Sequence, residues 1–251
     1  MNVSPSPPRE SLVGKVALVT GSAKRLGREV ATRLAQEGAD LVIHYRNSQS
    51  EAQDAVQQVE RLGRRAIAIA ADLGSVSEIK NLFDVAGKQF CRLDILVNSA
   101  ANFLPASMVS TTGDIWDASL DTNLRAPFFC AQAAAPWLNR THGVIINFAD
   151  TGGMMGWTGY IPHSISKAGV VMLTKVLAKA LAPKVRVNAI APGTITMEGD
   201  PPEWEADFIM HAPLRRSGKP SDITDAVLFL VHSQFITGQV LVVDGGRTVV
   251  P

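Results

Sequence analysis

The chain has 251 residues, 46% of them hydrophobic, and a formal net charge of +1 at pH 7. This length fits one α/β domain, and the apolar fraction supplies a large core. The near-neutral charge argues against a nucleic-acid partner, and no apolar run approaches the roughly 18 residues of a membrane span.

Met1 to Glu10 is polar and proline-rich. It lacks the apolar stretch of a secretory signal, so residues 1–11 are expected to be a disordered tail and 12–251 a single domain of a cytoplasmic protein. Lys15 to Thr20 reads as a buried strand. The turn Gly21-Ser22-Ala23-Lys24-Arg25-Leu26-Gly27 opens a helix that continues to about Glu37, and Gly38 ends it. A strand at 40–45, a helix at about 50–62, a strand at 66–70, a helix at about 77–90 and a strand at 93–97 follow. A long helix is expected over roughly 122–139, then a strand at 144–148, a helix running to about Ala182 and a strand at 185–191. Residues 194–217 read as a long irregular segment. A helix at 221–232 and a strand at 239–243 close the pattern. Strands that are apolar without alternation imply burial on both faces. Strand–helix repetition gives an α/β fold, a doubly wound parallel sheet of about seven strands with helices on both faces.

Chemistry enters at the first strand–turn–helix. Gly21 permits a sharp turn after the strand, and Gly27 permits close approach of helix and strand backbones. A phosphate then sits on the helix N-terminus, where free N–H groups and the dipole favour an anion. Lys24 and Arg25 suit a phosphate-rich ligand, although Arg25 stands where a full GxGxxG motif would carry a glycine. An NAD site wants a carboxylate near the end of the second strand. Here that strand ends His44-Tyr45-Arg46-Asn47-Ser48, with no acid. Arg46, Ser48 and Arg25 are expected to hold a 2′-phosphate instead, which selects NADP, and His44 is expected to flank the adenosine phosphate.

The second chemical stretch is Asp150 to Lys167. Pro162 suits the first turn of a helix. His163 and Lys167 are four apart and share a helix face, and Asp150 reaches that face from the end of the preceding strand. An acid, an imidazole and an amine meeting there form a candidate proton-transfer site.

Over residues 13–247 the chain resembles the short-chain dehydrogenase/reductases. The matches come in order: TGSAKRLG at 20–27, ADL at 71–73, NSAA at 98–101, Asn123, the 150–167 stretch, PG at 192–193 and DGG at 244–246. Arg25, the HYRNS segment, Phe103 and Asp150 look most like the pteridine reductase branch. The resemblance implies a Rossmann-like fold and roles position by position. Asp72 would bond the adenine, with Leu73 beside it. Asn98, Ser99 and Ala100 would line the cofactor ribose region. Asn123 would sit in a helix kink supporting a relay water, and Lys167 would bind the nicotinamide ribose. Pro192 and Gly193 would abut the nicotinamide, with Thr194 and Thr196 near the carboxamide or pyrophosphate. Phe103 would stack a flat substrate ring, and Trp204 and Leu214 would belong to the substrate loop. A homotetramer built on the helices at 122–139 and 162–182 and the last strand is also implied.

The chain departs from the family pattern at the centre. The family's proton donor, a tyrosine four residues before the lysine, is replaced by His163, and the nearest tyrosine is Tyr160. Asp150 stands where a serine is usual. Loss of a general acid typically costs about 10²–10⁴ in rate, so three readings are open. One is an NADPH-dependent reductase of pteridine-like or other conjugated C=N or C=O substrates, using Asp150, His163 and Lys167. Another has Tyr160 as the acid. The last is a non-catalytic NADP-binding sensor or scaffold. Cys91 and Cys130 are read as buried small hydrophobes, and Trp116, Trp137 and Trp157 as packing or interface residues. His142, His211 and His232 show no ligand spacing, so no metal site is expected.

Overall fold

The computed structural model describes residues 11–200 and 202–250; residues 1–10 of the expected tail lie outside the described residues. The elements in chain order are β1 (Val16–Val19), α1 (Arg25–Gln36), β2 (Asp40–Tyr45), α2 (Gln49–Arg61), β3 (Ala66–Ala70), α3 (Val76–Phe90) and β4 (Ile95–Asn98). They continue with α4 (Gly113–Leu120), a π-helical turn (Asp121–Arg125), α5 (Ala126–Thr141), β5 (Val144–Phe148), α6 (Gly152–Met155), α7 (Ile161–Leu181) and β6 (Arg186–Pro192). The chain closes with α8 (Pro202–His211), α9 (Pro220–His232), β7 (Val240–Val243) and a short 3₁₀ turn.

The strands form one parallel sheet in the order β3-β2-β1-β4-β5-β6-β7. The order reverses between β1 and β4, and that switch point opens a crevice at the carboxyl ends of the strands. Successive side chains of a strand face opposite ways. Ala17 and Val19 of β1 therefore pack with α1, α2 and α9, through Val30, Leu34, Val59 and Ile223. Val16 and Leu18 pack on the other face with α3, α5 and α7, through Ile79, Leu82, Leu138 and Leu177.

The expected elements form, with three differences. The region 194–217 is not irregular throughout, because α8 spans Pro202–His211 within it. That helix is held by tertiary packing: Phe208 is buried, and a Cβ on Gly193 would come within 2.8 Å of its ring. The long helix expected from 122 begins earlier, as α4, where the Thr112 hydroxyl accepts from the Ile115 N–H at 3.3 Å. It passes through the π turn before continuing as α5. Cys91 is exposed, at the left-handed end of α3, whereas Cys130 is buried as expected.

The contact between α3 and α5 depends on Gly87, where an added Cβ would run into the indole ring of Trp137. Gly87→Ala should cost about 1–3 kcal/mol, the usual cost of overpacking. A denaturant midpoint equal to that of the wild type would show that Trp137 can move aside.

Candidate active site

The phosphate turn is built on close backbone approach. Gly21 has φ +66°, and a Cβ there would lie 3.0 Å from the Cα of Ala100. A Cβ on Gly27 would lie 2.5 Å from the Gly21 carbonyl oxygen. Side chains are thus excluded where α1 starts, and its N-terminal N–H groups stay open to an anion. Arg25 has φ +51°, a left-handed conformation uncommon for a non-glycine residue. Thr20 fixes the facing segment, its hydroxyl oxygen accepting from the N–H groups of Ser99 and Ala100 at 3.0 Å each.

The cations of the turn are already paired with carboxylates. Lys24 lies 2.6 Å from Glu51, and Arg25 lies 2.8 Å from Asp200 in the segment after β6. The neighbouring ammonium of Lys24 holds the Glu51 carboxyl below its usual value. Arg46 is exposed, and no ion pair or hydrogen bond to it occurs among the described residues. It lines a cleft with Asn47, Ala70, Ala71, Asp72 and Glu78. Glu78 was not anticipated there. Its carboxylate accepts from the Asp72 N–H at 2.6 Å, while Asp72 Oδ1 accepts from the Gly74 N–H at 2.9 Å. The signal was Ser75-x-x-Glu78, a capping-box spacing; Ser75 does cap α3, but Glu78 turns to Asp72. Ser48 precedes α2 without a side-chain cap bond. Leu26 and Tyr45 pack against the core, and Leu73 is buried.

His44 corrects an expectation. It is buried behind the turn, not beside a phosphate. Its Nδ1 accepts from the Gly21 N–H at 2.9 Å, and its Nε2 donates to the Ala71 carbonyl at 3.0 Å. That pattern needs the neutral ring. Burial pushes its pKa below the ordinary value, against smaller opposing effects of Ala71 and Asp72.

Asp150, His163 and Lys167, the candidate proton-transfer residues, come together where β5 meets α7. Lys167 is buried, and its Nζ donates to the Phe148 carbonyl at 2.7 Å. Burial lowers its pKa to about 8, with Asp150 opposing. Asp150 begins the loop after β5, its Oδ1 accepting from the Gly152 N–H at 2.6 Å. Its Oδ2 lies 3.8 Å from His163 Nε2. Gly153 lets this loop lie on α7, since a Cβ there would come 2.6 Å from the Lys167 carbonyl carbon. The Nδ1 of His163 lies 3.3 Å from the main-chain oxygen of Asn102. Asn123 falls within the π turn, the kink expected for it, and is buried.

Aromatic rings surround the imidazole. Phe103 meets it edge-on at 4.8 Å between centroids, and the Trp157 ring is parallel to it at 6.2 Å. Tyr160 stacks on Phe103 at 4.2 Å rather than contacting Lys167. Phe103 remains 47% exposed, so its outer surface rims the crevice. Trp157, read as a packing residue, is thus part of the site, and Asn102 is a neighbour that sequence reasoning missed.

The remaining candidates divide. Asn98 is buried and donates to Asn147 Oδ1 at 2.9 Å, tying β4 to β5. Gly193 follows β6, where Asp244 and Phe208 leave no room for a side chain. The Pro192 carbonyl accepts from the Thr151 N–H, and Thr194 and Thr196 bridge to Gly218 through main-chain bonds. The hydroxyl of Thr196 is a buried polar group with no protein partner, as suits a segment facing a ligand. Leu214 is exposed. Trp204 falls within α8, and its side chain lies outside the described residues. No group of three or more metal-ligating side chains occurs among the described residues, and no helix among them is long and apolar enough to cross a membrane.

A sequence profile described as enoyl-(acyl carrier protein) reductase matches residues 21–248. The 3-oxoacyl-[acyl-carrier-protein] reductase FabG of Staphylococcus aureus is 35% identical over 239 residues, covering 92% of this chain and 97% of that protein. The chain belongs to the short-chain dehydrogenase/reductase family. A putative short-chain alcohol dehydrogenase of Sinorhizobium meliloti superposes with a TM-score of 0.91 at 32% identity, covering 97% of this chain and 100% of that one. A short-chain dehydrogenase of Burkholderia cenocepacia, solved with NADP, gives 0.90 at 35% identity, covering 95% and 99%. These names support the family and not its pteridine reductase branch.

The neutral state of His44 makes a test of the turn. Because the folded pKa is depressed, its contribution is fully present above the ordinary histidine value of 6.5 and is lost as pH falls below it. The melting temperature should therefore drop on acidification, and His44→Gln, which can accept from Gly21 without titrating, should flatten that drop. Parallel profiles for the two proteins would exclude the role.

Proposed function

We propose that this member of the short-chain dehydrogenase/reductase family is an NADPH-dependent reductase acting on a small conjugated C=N or C=O substrate, with His163 as the proton donor. The observation that carries the reading is the approach of Asp150 Oδ2 to His163 Nε2 at 3.8 Å beside the buried Lys167. In its imidazolium form the ring can protonate a ring nitrogen or carbonyl oxygen.

The cofactor's role is to supply hydride. Gly21 and Gly27 shape the pyrophosphate seat, Asp72 lines the adenine cleft, and Lys167 holds the nicotinamide ribose. The missing acid after β2, together with the unpaired Arg46, supports NADP as cofactor, as does the NADP complex of the Burkholderia relative. The aromatic rim of Phe103 and Tyr160 suits a planar substrate of pteridine type. The enzymatic reading is preferred to a non-catalytic binding role because the turn after β1 and the Asp150–His163 approach after β5 both lie at the carboxyl edge of one parallel sheet. A second substrate class, 3-oxoacyl thioesters, is favoured by the name of the Staphylococcus relative. A cytoplasmic homotetramer, with Phe128 of α5 and Met172 and Val176 of α7 as exposed apolar contacts, accompanies this reading.

NADPH oxidation should be followed with dihydrobiopterin and with an acetoacetyl thioester, from about pH 5 to 8. Turnover of dihydrobiopterin that rises toward acid pH is the expected result. Turnover of the thioester alone would transfer the protein to the second substrate class. Inertness toward both, with NADPH still bound, would favour the non-catalytic role. Arg46→Ala should weaken NADPH binding by roughly tenfold or more, as loss of a charge-assisted contact implies, and hardly change NADH binding; equal losses would refute the 2′-phosphate assignment.

A further inference from the structure

The hydrogen bonds around His163 have a determined direction. The Asn102 N–H can only donate, and it points to Asn123 Oδ1 at 2.8 Å. The Asn123 amide is therefore oriented, with its Nδ2 toward α7. That nitrogen donates to the Asn102 carbonyl at 3.1 Å and to Ser166 Oγ at 3.2 Å. Ser166 in turn donates its hydroxyl hydrogen to the His163 carbonyl at 2.7 Å. Both amide hydrogens of Asn123 thus have nearer acceptors, and its contact with His163 Nδ1, at 3.5 Å, is the longest of the three.

The acceptor that Nδ1 meets is the Asn102 carbonyl at 3.3 Å. A carbonyl oxygen accepts and never donates, so this shorter contact is a hydrogen bond only when Nδ1 carries a proton. On the opposite side of the ring, Nε2 is buried without a hydrogen-bond partner and faces Asp150 Oδ2. The Asn102 side chain anchors the segment, its Nδ2 donating to the Ala118 carbonyl of α4 at 2.7 Å.

We propose that Asn102 and Asn123 form a clasp that fixes His163 as its Nδ1–H tautomer, leaving Nε2 as the one atom through which the ring exchanges a proton. The inference rests on the reading of His163 as the acid. In the reaction the Nε2–H bond of the imidazolium would break and an O–H or N–H bond would form on the substrate, the hydride for the adjacent carbon being what a bound NADPH would supply. The ring is left neutral with its proton on Nδ1, and Nε2 regains a proton from solvent past Asp150, whose side chain is 23% exposed. A phenol has one exchangeable proton and needs no such device. An imidazole has two inequivalent nitrogens and does. Asn102 and Asn123 are positioning residues, acting on the reaction only through His163.

The test is the ¹⁵N spectrum of the imidazoles in full-length, histidine-labelled protein, with His163 assigned by the loss of its signals in His163→Gln. In its neutral form His163 should show a pyrrole-type Nδ1 and a pyridine-type Nε2. In Asn123→Ala the two nitrogens should move toward averaged shifts, and kcat should fall on the order of 10²-fold with little change in KM. If Asn123→Ala does not fold, Ser166→Ala, which removes one acceptor of the Asn123 amide, should show the same averaging to a smaller extent. A wild-type ring with its proton on Nε2, or an unaltered tautomer in whichever variant folds, would overturn the clasp. The spectrum needs no substrate. A fixed Nδ1–H tautomer without turnover of any substrate would therefore leave the clasp standing and sink the reductase reading. Turnover with the opposite tautomer would do the reverse.

Discussion

The ammonium of Lys167 is buried between a helix and the end of a strand, and a charge in that position is costly unless it is paired and hydrogen-bonded. The groups around it answer that requirement. The Phe148 carbonyl accepts directly, and the Asp150 carboxylate opposes the effect of burial. Both lie at the end of β5 because a parallel strand that stops under a helix leaves its last carbonyls pointing at that helix. The loop 150–156 can lie this close only because Gly152 and Gly153 face Trp157 and the backbone of α7. Lysine, acid and imidazole are consequences of one packing arrangement.

The same arrangement couples the two halves of the crevice. Thr20 ends β1 and holds the segment after β4. That segment carries Asn102, which meets His163 and Asn123. A chain of hydrogen bonds thus runs from the turn after β1 to His163. His44 adds a second tie beneath the turn, joining Gly21 to the end of β3 through a neutral ring. His44 must stay neutral to accept from an amide, whereas His163 sits beside a carboxylate.

The carboxylates in the cofactor cleft also carry a consequence. Glu51 and Asp200 occupy Lys24 and Arg25, so both cations of the turn after β1 are already paired. The Lys24–Glu51 pair is exposed, and pairs of that kind are worth little, about 0–1 kcal/mol, whereas the Asp200 side chain is nearly buried. Asp200 belongs to the segment leading into α8, so its pair with Arg25 ties the turn after β1 to that segment.

Residue type and spacing alone determined the parallel sheet, the glycines of the phosphate turn, the missing acid after β2 and the grouping of Asp150, His163 and Lys167. Each is a local matter: apolar runs, a positive φ, a four-residue helical repeat. The placement of His44 was not legible, because a histidine at a strand end reads alike whether it faces a ligand or the backbone behind it. Neither was α8, whose packing on Gly193 joins positions distant in sequence, nor the exposure of Cys91. Asn102 escaped notice because it acts through its main-chain carbonyl, which every residue possesses. Only the tertiary structure decided which nitrogen of His163 faces the acid, because the direction of a hydrogen bond depends on where donors and acceptors from separate elements come to rest.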